Sequence, residues 1–105
     1  MPALVLLGTT THALTGTAYT FQPDAGVVDP NTQTIPQSWR IRVWGDVNFH
    51  IAVHPVSTDA TTSDMPVADH YHGVEVAVPP EGFLSVIKKT GEADGHVWFT
   101  RVKHA

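Results

Sequence analysis

The sequence predicts an all-β protein: a single β-sandwich, jelly-roll-like, of about seven short antiparallel strands. Three observations predict it. Eight Gly and eight Pro recur at short intervals along 105 residues. Val, Thr and aromatic residues fill the spaces between them, which is strand-and-turn grammar. Apolar and polar residues alternate at period two, and no stretch carries the helical period. The length allows one domain. Within it, residues 1–37 read as an amino-terminal arm of strands and a crossing loop, able to lie on a neighbouring subunit, and residues 38–105 as the sandwich core.

Residues 3–7 and 15–21 are predicted strands, and the stretch 22–37, with Pro23, Pro30 and Pro36, an extended crossing loop. The clearest strand is 39–44, where Trp39, Ile41 and Val43 alternate with Arg40 and Arg42, one face core and the other wet. After Gly45 and Asp46 the alternation resumes. Val47, Phe49, Ile51 and Val53 take the core face, Asn48, His50, Ala52 and His54 the polar one, and Pro55 ends the pairing. Residues 57–65 are polar and turn-rich, a surface loop or distorted edge segment. Val74, Val76 and Val78 share a face of the next strand, and Pro79, Pro80 and Gly82 turn the chain into residues 83–88. Asp94 and Gly95 read as the end of a hairpin connection that delivers the last strand, 96–103.

Charge is sparse and unevenly placed. Six Lys and Arg against ten Asp and Glu give a formal charge of −4, so the chain lacks the basic footprint of a nucleic-acid binder. No apolar run approaches the roughly 18 residues of a membrane span. There is no cysteine, which removes disulfides and thiol chemistry. Before Asp24 no side chain is ionised at neutral pH, across a stretch with six threonines. Residues 3–7 are too short for the apolar centre of a signal peptide and follow no Lys or Arg, so the segment reads as mature protein. A subunit whose arm lies on a neighbour avoids desolvating charge there. Leu4, Val5, Leu6, Leu7, Tyr19 and Phe21 are the interface candidates on that reading; the competing one makes the same strands interior to the chain's own sandwich.

Seven histidines invite a metal hypothesis. His70 and His72 share a strand face at about 6.5 to 7 Å, close enough to hold one ion, with Glu75 as a third ligand if Gly73 makes a bulge. The run HYHGVE followed by PPEGF partly resembles the cupin metal pattern, but Asp64 stands in place of its leading glycine, the Glu comes one residue early, and Ser85 replaces its third histidine. Surface or interface roles are therefore expected for His70 and His72, with no metal and no cofactor. His50 and His54 lie about 13 Å apart on one strand, too far to share an ion, and read as solvent or interface residues. The four serines sit in no nucleophile frame. Trp39, Trp44, Trp98, Phe49, Phe83 and Phe99 offer rings for sugar stacking, although strand spacing makes them core residues.

From about residue 40 to 102 the order of elements resembles a group of small virion structural proteins of tailed bacteriophages. The likeness is carried by NFHIAVHP, TDATTSDMPV, VPPEGFLSVI and ADGHVWFTRV, with Ile51 and Ala52, Ala60 to Met65, Val78 to Gly82, and Ala93 to Thr100 at the matching places. His54 stands where the group has glycine, and Asp69 and His70 replace a small-residue turn. The resemblance implies a non-enzymatic virion component, assembled in the host cytoplasm, that forms homo-oligomers and packs on the major capsid or other virion structural proteins, with neither nucleic acid nor membrane as partner. Capsid decoration or cementing is the expected role, head-to-tail connection or tail attachment the alternative. A small jelly-roll metalloprotein built on the His-x-His pair is the competitor from another class, and a carbohydrate-binding sandwich using exposed Trp44 or Trp98 a third.

Overall fold

A computed structural model describes residues 4–23, 39–67 and 71–104, and the side chains of all of these except 4–8 and 103–104. They form eight strands: β1 (Leu4–Leu14), β2 (Tyr19–Phe21), β3 (Trp39–Gly45), β4 (Phe49–His54), β5 (Met65–Val67), β6 (Val74–Val78), β7 (Phe83–Lys88) and β8 (Gly95–His104). Two four-stranded sheets result, ordered β1-β8-β3-β6 and β2-β7-β4-β5, with every pair antiparallel. The fold is an all-β sandwich. Its core draws Leu14, Ile41, Val43, Val78, Val97 and Phe99 from the first sheet against Phe49, Ile51, Val67, Leu84 and Val86 from the second.

One rule describes the connectivity. β1 pairs with β8, β2 with β7, β3 with β6 and β4 with β5, so the numbers of each pair sum to nine. The chain behaves as a single long hairpin folded at β4–β5 and then wrapped so that successive pairs fall in alternate sheets. Only β4 and β5 are neighbours both in sequence and in a sheet.

The wrapping corrects the expected last hairpin. β7 and β8 lie in different sheets, so the loop around Asp94 crosses the sandwich instead of closing a ladder. Asp46 holds the far end of that loop: its amide donates to the His96 carbonyl at 3.1 Å, and its Oδ1 accepts the His96 amide at 2.7 Å. The loop also carries a 2.6 Å ion pair from Lys88 Nζ to Asp94.

β1 runs much further than residues 3–7, through the threonines to Leu14, and this leaves β2 only three residues. Between Leu6↔Val102 and Thr9↔Thr100 two residues of β1 face one of β8, a bulge at Leu7 and Gly8 whose single opposing residue is Arg101. Met65, the last residue of the stretch expected as loop or distorted edge, opens a short strand, Met65–Val67, at the edge of the second sheet. The crossing loop beyond Pro23 lies outside the described residues.

The outward side of β4 is the larger correction. His50 and Ala52 are buried on what reads as a wet face. The segment after β4 folds back over the second sheet: Ala60 is buried, the Asp64 carbonyl meets His50 Nδ1 at 3.0 Å, and the Ala60 amide donates to Ser85 Oγ at 2.8 Å. The side chains under it are small, Ala52 standing opposite Ser85 and Ser85 opposite Thr20. Sequence alternation sees two layers, whereas this half of the molecule has three.

The β6–β7 connection is a tight turn closed by the Gly82 amide on the Pro79 carbonyl at 2.9 Å, with Glu81 at φ 61°. A side chain in that region costs about 1–2 kcal/mol, and glycine returns roughly half of the gain through backbone entropy. Glu81→Gly is expected to raise stability by about 0.5–1 kcal/mol in denaturant melts; the Gln22 bond to the Glu81 carbonyl uses backbone and survives the change.

Candidate functional site

His70 lies outside the described residues. His72 is exposed, and its carbonyl accepts Arg42 Nη2 at 2.7 Å. Gly73 takes φ 67° beside the backbone of Val43, where a Cβ would collide with the Val43 carbonyl. It thereby turns the chain into β6, so Glu75 stands opposite Arg42 on the outward face and meets Arg40 Nη1 at 3.4 Å. Among the described residues, no three His, Asp or Glu converge as metal ligands.

The remaining described histidines serve other ends. His50, expected at solvent or an interface, is buried, and a ring nitrogen facing a carbonyl must carry the proton, so its Nδ1–H donates to Asp64. Its role is to hold the covering segment. His96 is exposed, 3.5 Å from Asp46 Oδ2. His12 stacks on Tyr19 at 3.9 Å between ring centroids.

Ser85, for which the sequence offers no role, proves central to a hydroxyl chain. Its Oγ accepts the Ala60 amide, leaving its proton for Thr20 Oγ1 at 2.8 Å, and Thr20 donates to Asp59 Oδ1 at 2.6 Å. Among the described residues the series runs Ser, Thr, Asp with no base hydrogen-bonded to the serine, and it fastens a loop.

Among the described residues, two features have the geometry to engage something outside the chain. The first is the outward face of the first sheet. Thr9 and Thr11 of β1, Arg40 and Arg42 of β3, and Glu75 and Ala77 of β6 are exposed along it, while Thr100 and Val102 of the central β8 are shielded between the flanking rows. Trp44 and Trp98 sit opposite each other here, half-buried, with rings 6.3 Å apart and 13° from parallel. Their expected core placement does not hold, although it does for Phe49 and Phe99. Trp44 shares its parity with Arg40 and Arg42, a signal that places it on the outward side.

The second feature is a cleft of about 130 Å³ between the sheets, lined by Thr10, His12, Tyr19, Phe21, Ile41, Phe99 and Arg101. Tyr19 and Phe21 pack against Phe99 of their own chain at 5.9 and 4.8 Å. Leu4, Val5, Leu6 and Leu7 belong to β1, with Leu4, Val5 and Leu6 registered on His104, Lys103 and Val102 of β8. β1 and β2 are thus edge strands of the chain's own sheets. Burial pushes the Tyr19 phenol above its ordinary value. No family model matches the chain, nor does any curated protein or solved structure.

Two outcomes are expected. Ser85→Ala strips the buried Ala60 amide of its acceptor and lowers stability by about 1–3 kcal/mol, and limited proteolysis between residues 55 and 64 becomes faster than in the wild type. Tyr19 favours its neutral form in the folded state, so its stabilising contribution is complete below the ordinary tyrosine value near 10 and is lost as pH rises through the higher folded value. Melting curves between pH 8 and 11 are expected to show the wild type losing ground to Tyr19→Phe only at the alkaline end.

Proposed function

We propose that the protein is a non-enzymatic structural subunit of a tailed-phage virion, a jelly roll whose role is decoration or cementing of the capsid shell. The observation that carries the reading is the eight-strand order β1-β8-β3-β6 over β2-β7-β4-β5. It is the order obtained when a long antiparallel hairpin wraps into two Greek keys, an architecture used by viral shell proteins as well as by lectins and cupins. Two properties favour the shell among these. The second sheet is closed by the chain's own loop, whereas among the described residues no segment covers the outward face of the first sheet. That face combines threonines, two arginines and a tryptophan pair, and Trp and Arg are the residues that anchor interfaces. Among the described residues of its strands, Arg40 and Arg42 against Glu75 also give this face a positive balance on a chain of formal charge −4, suited to an acidic shell surface.

The mechanism is burial of this face on the shell, at roughly 1,000 Å² or more per contact, repeated by symmetry. Mixed with shells of the encoding phage assembled without it, the protein is expected to co-sediment in a fixed ratio and to raise the shells' melting temperature. Trp44→Ser with Trp98→Ser is expected to abolish co-sedimentation while the isolated domain still folds. A protein that stays unbound on such shells overturns the reading. The half-buried tryptophan pair on the outward face also favours a second reading, stacking on sugar rings; saturable binding of a soluble glycan that quenches Trp44 and Trp98 fluorescence would select it.

A further inference from the structure

We infer that the cleft between the sheets is a binding site for a small aromatic carboxylate, with its ring among Tyr19, Phe21 and Phe99 and its carboxylate on Arg101. The site is independent of the outward face and of the proposed shell contact. Three observations converge. The space, about 130 Å³, is that of one six-membered ring: an apolar protein cavity of roughly 150 Å³ takes up benzene. Its walls are rings already set edge-on or stacked to one another, Phe21 on Phe99 at 4.8 Å and Tyr19 on Phe21 at 5.5 Å, so a flat guest extends an existing aromatic cluster.

The third observation fixes the charge. Arg101 reaches the cleft from inside the sandwich, opposite the β1 bulge, and among the described residues no carboxylate pairs with it. Nη2 donates to the Pro23 carbonyl at 2.7 Å, and the guanidinium lies over the Trp39 ring at 5.3 Å. Nε is buried and has no acceptor. Its Nε–H, kept from water and unspent, is costly to leave so, and a carboxylate is the group that matches guanidinium geometry. His12, stacked on Tyr19, and Thr10 add polar atoms to the lining.

The test is an NMR titration of the full chain with benzoate and, separately, with benzyl alcohol, which keeps the ring and removes the charge. Benzoate is expected to shift the Tyr19, Phe21 and Phe99 ring signals saturably, with benzyl alcohol at least tenfold weaker. Arg101→Gln is expected to erase that tenfold preference, whereas Arg42→Gln, on the outward face, keeps it. Because the comparison of the two ligands is made on the wild type, it stands even if Arg101→Gln fails to fold. Absence of saturable shifts with benzoate, equal affinity for the alcohol, or shifts confined to Trp44 and Trp98 would each overturn the assignment.

Discussion

Strand β8 must satisfy its backbone along both edges, and it does so against two strands from distant parts of the chain, β1 and β3. Its side chains then divide among three environments. Val97 and Phe99 point into the core, Trp98 and Thr100 stand on the outward face, and Arg101 enters the cleft. A single residue of slippage would exchange these sets and place Trp98 or Thr100 where Phe99 packs. The bulge at Leu7 and Gly8 absorbs the one mismatch between β1 and β8 while the ladder resumes on either side. Since β8 (Gly95–His104) pairs with β1 (Leu4–Leu14), the first sheet closes through contacts of long sequence separation, a topology that folds slowly.

The second sheet solves a different problem. Its outward row of Thr20, Ser85 and Ala52 is too small to shield the sheet, and the segment leading to β5 fills the space with Ala60 and ties itself down through hydroxyls and His50. Each buried polar group there has a partner: the Ala60 amide has Ser85, Ser85 has Thr20, and Thr20 has Asp59. This closure makes the two faces of the sandwich chemically unlike.

Legibility in the sequence followed how strictly each strand keeps one wet face. β3 alternates cleanly between Ile41, Val43 and the two arginines, and its boundaries and orientation are read directly from that pattern. β1 is not read so. Its threonines are indifferent to side, and the run Thr9, Thr10, Thr11 conceals both the length of the strand and its bulge. The outward burial of His50 is invisible to period-two reasoning because a third layer comes from a loop. Yet Ala52, a small residue on a face expected to be solvated, and Ser85, its small partner across the ladder, are the trace such a layer leaves. The Asp94-Gly95 pair looks like a hairpin corner for local reasons, but turn chemistry does not decide whether the next strand joins the same sheet. The cleft was out of reach, because its lining comes from β1, β2, β3 and β8 and exists only once the two sheets meet.

The unlike faces bear on how copies of such a molecule can accumulate. A sandwich with two bare faces can be stacked without limit, each added unit presenting a fresh platform to the next. Here residues 55–64 cover the second platform internally, so the two faces are not equivalent for stacking. In the proposed shell role, a molecule built this way would coat a surface to a fixed thickness, its own back closed to a further copy.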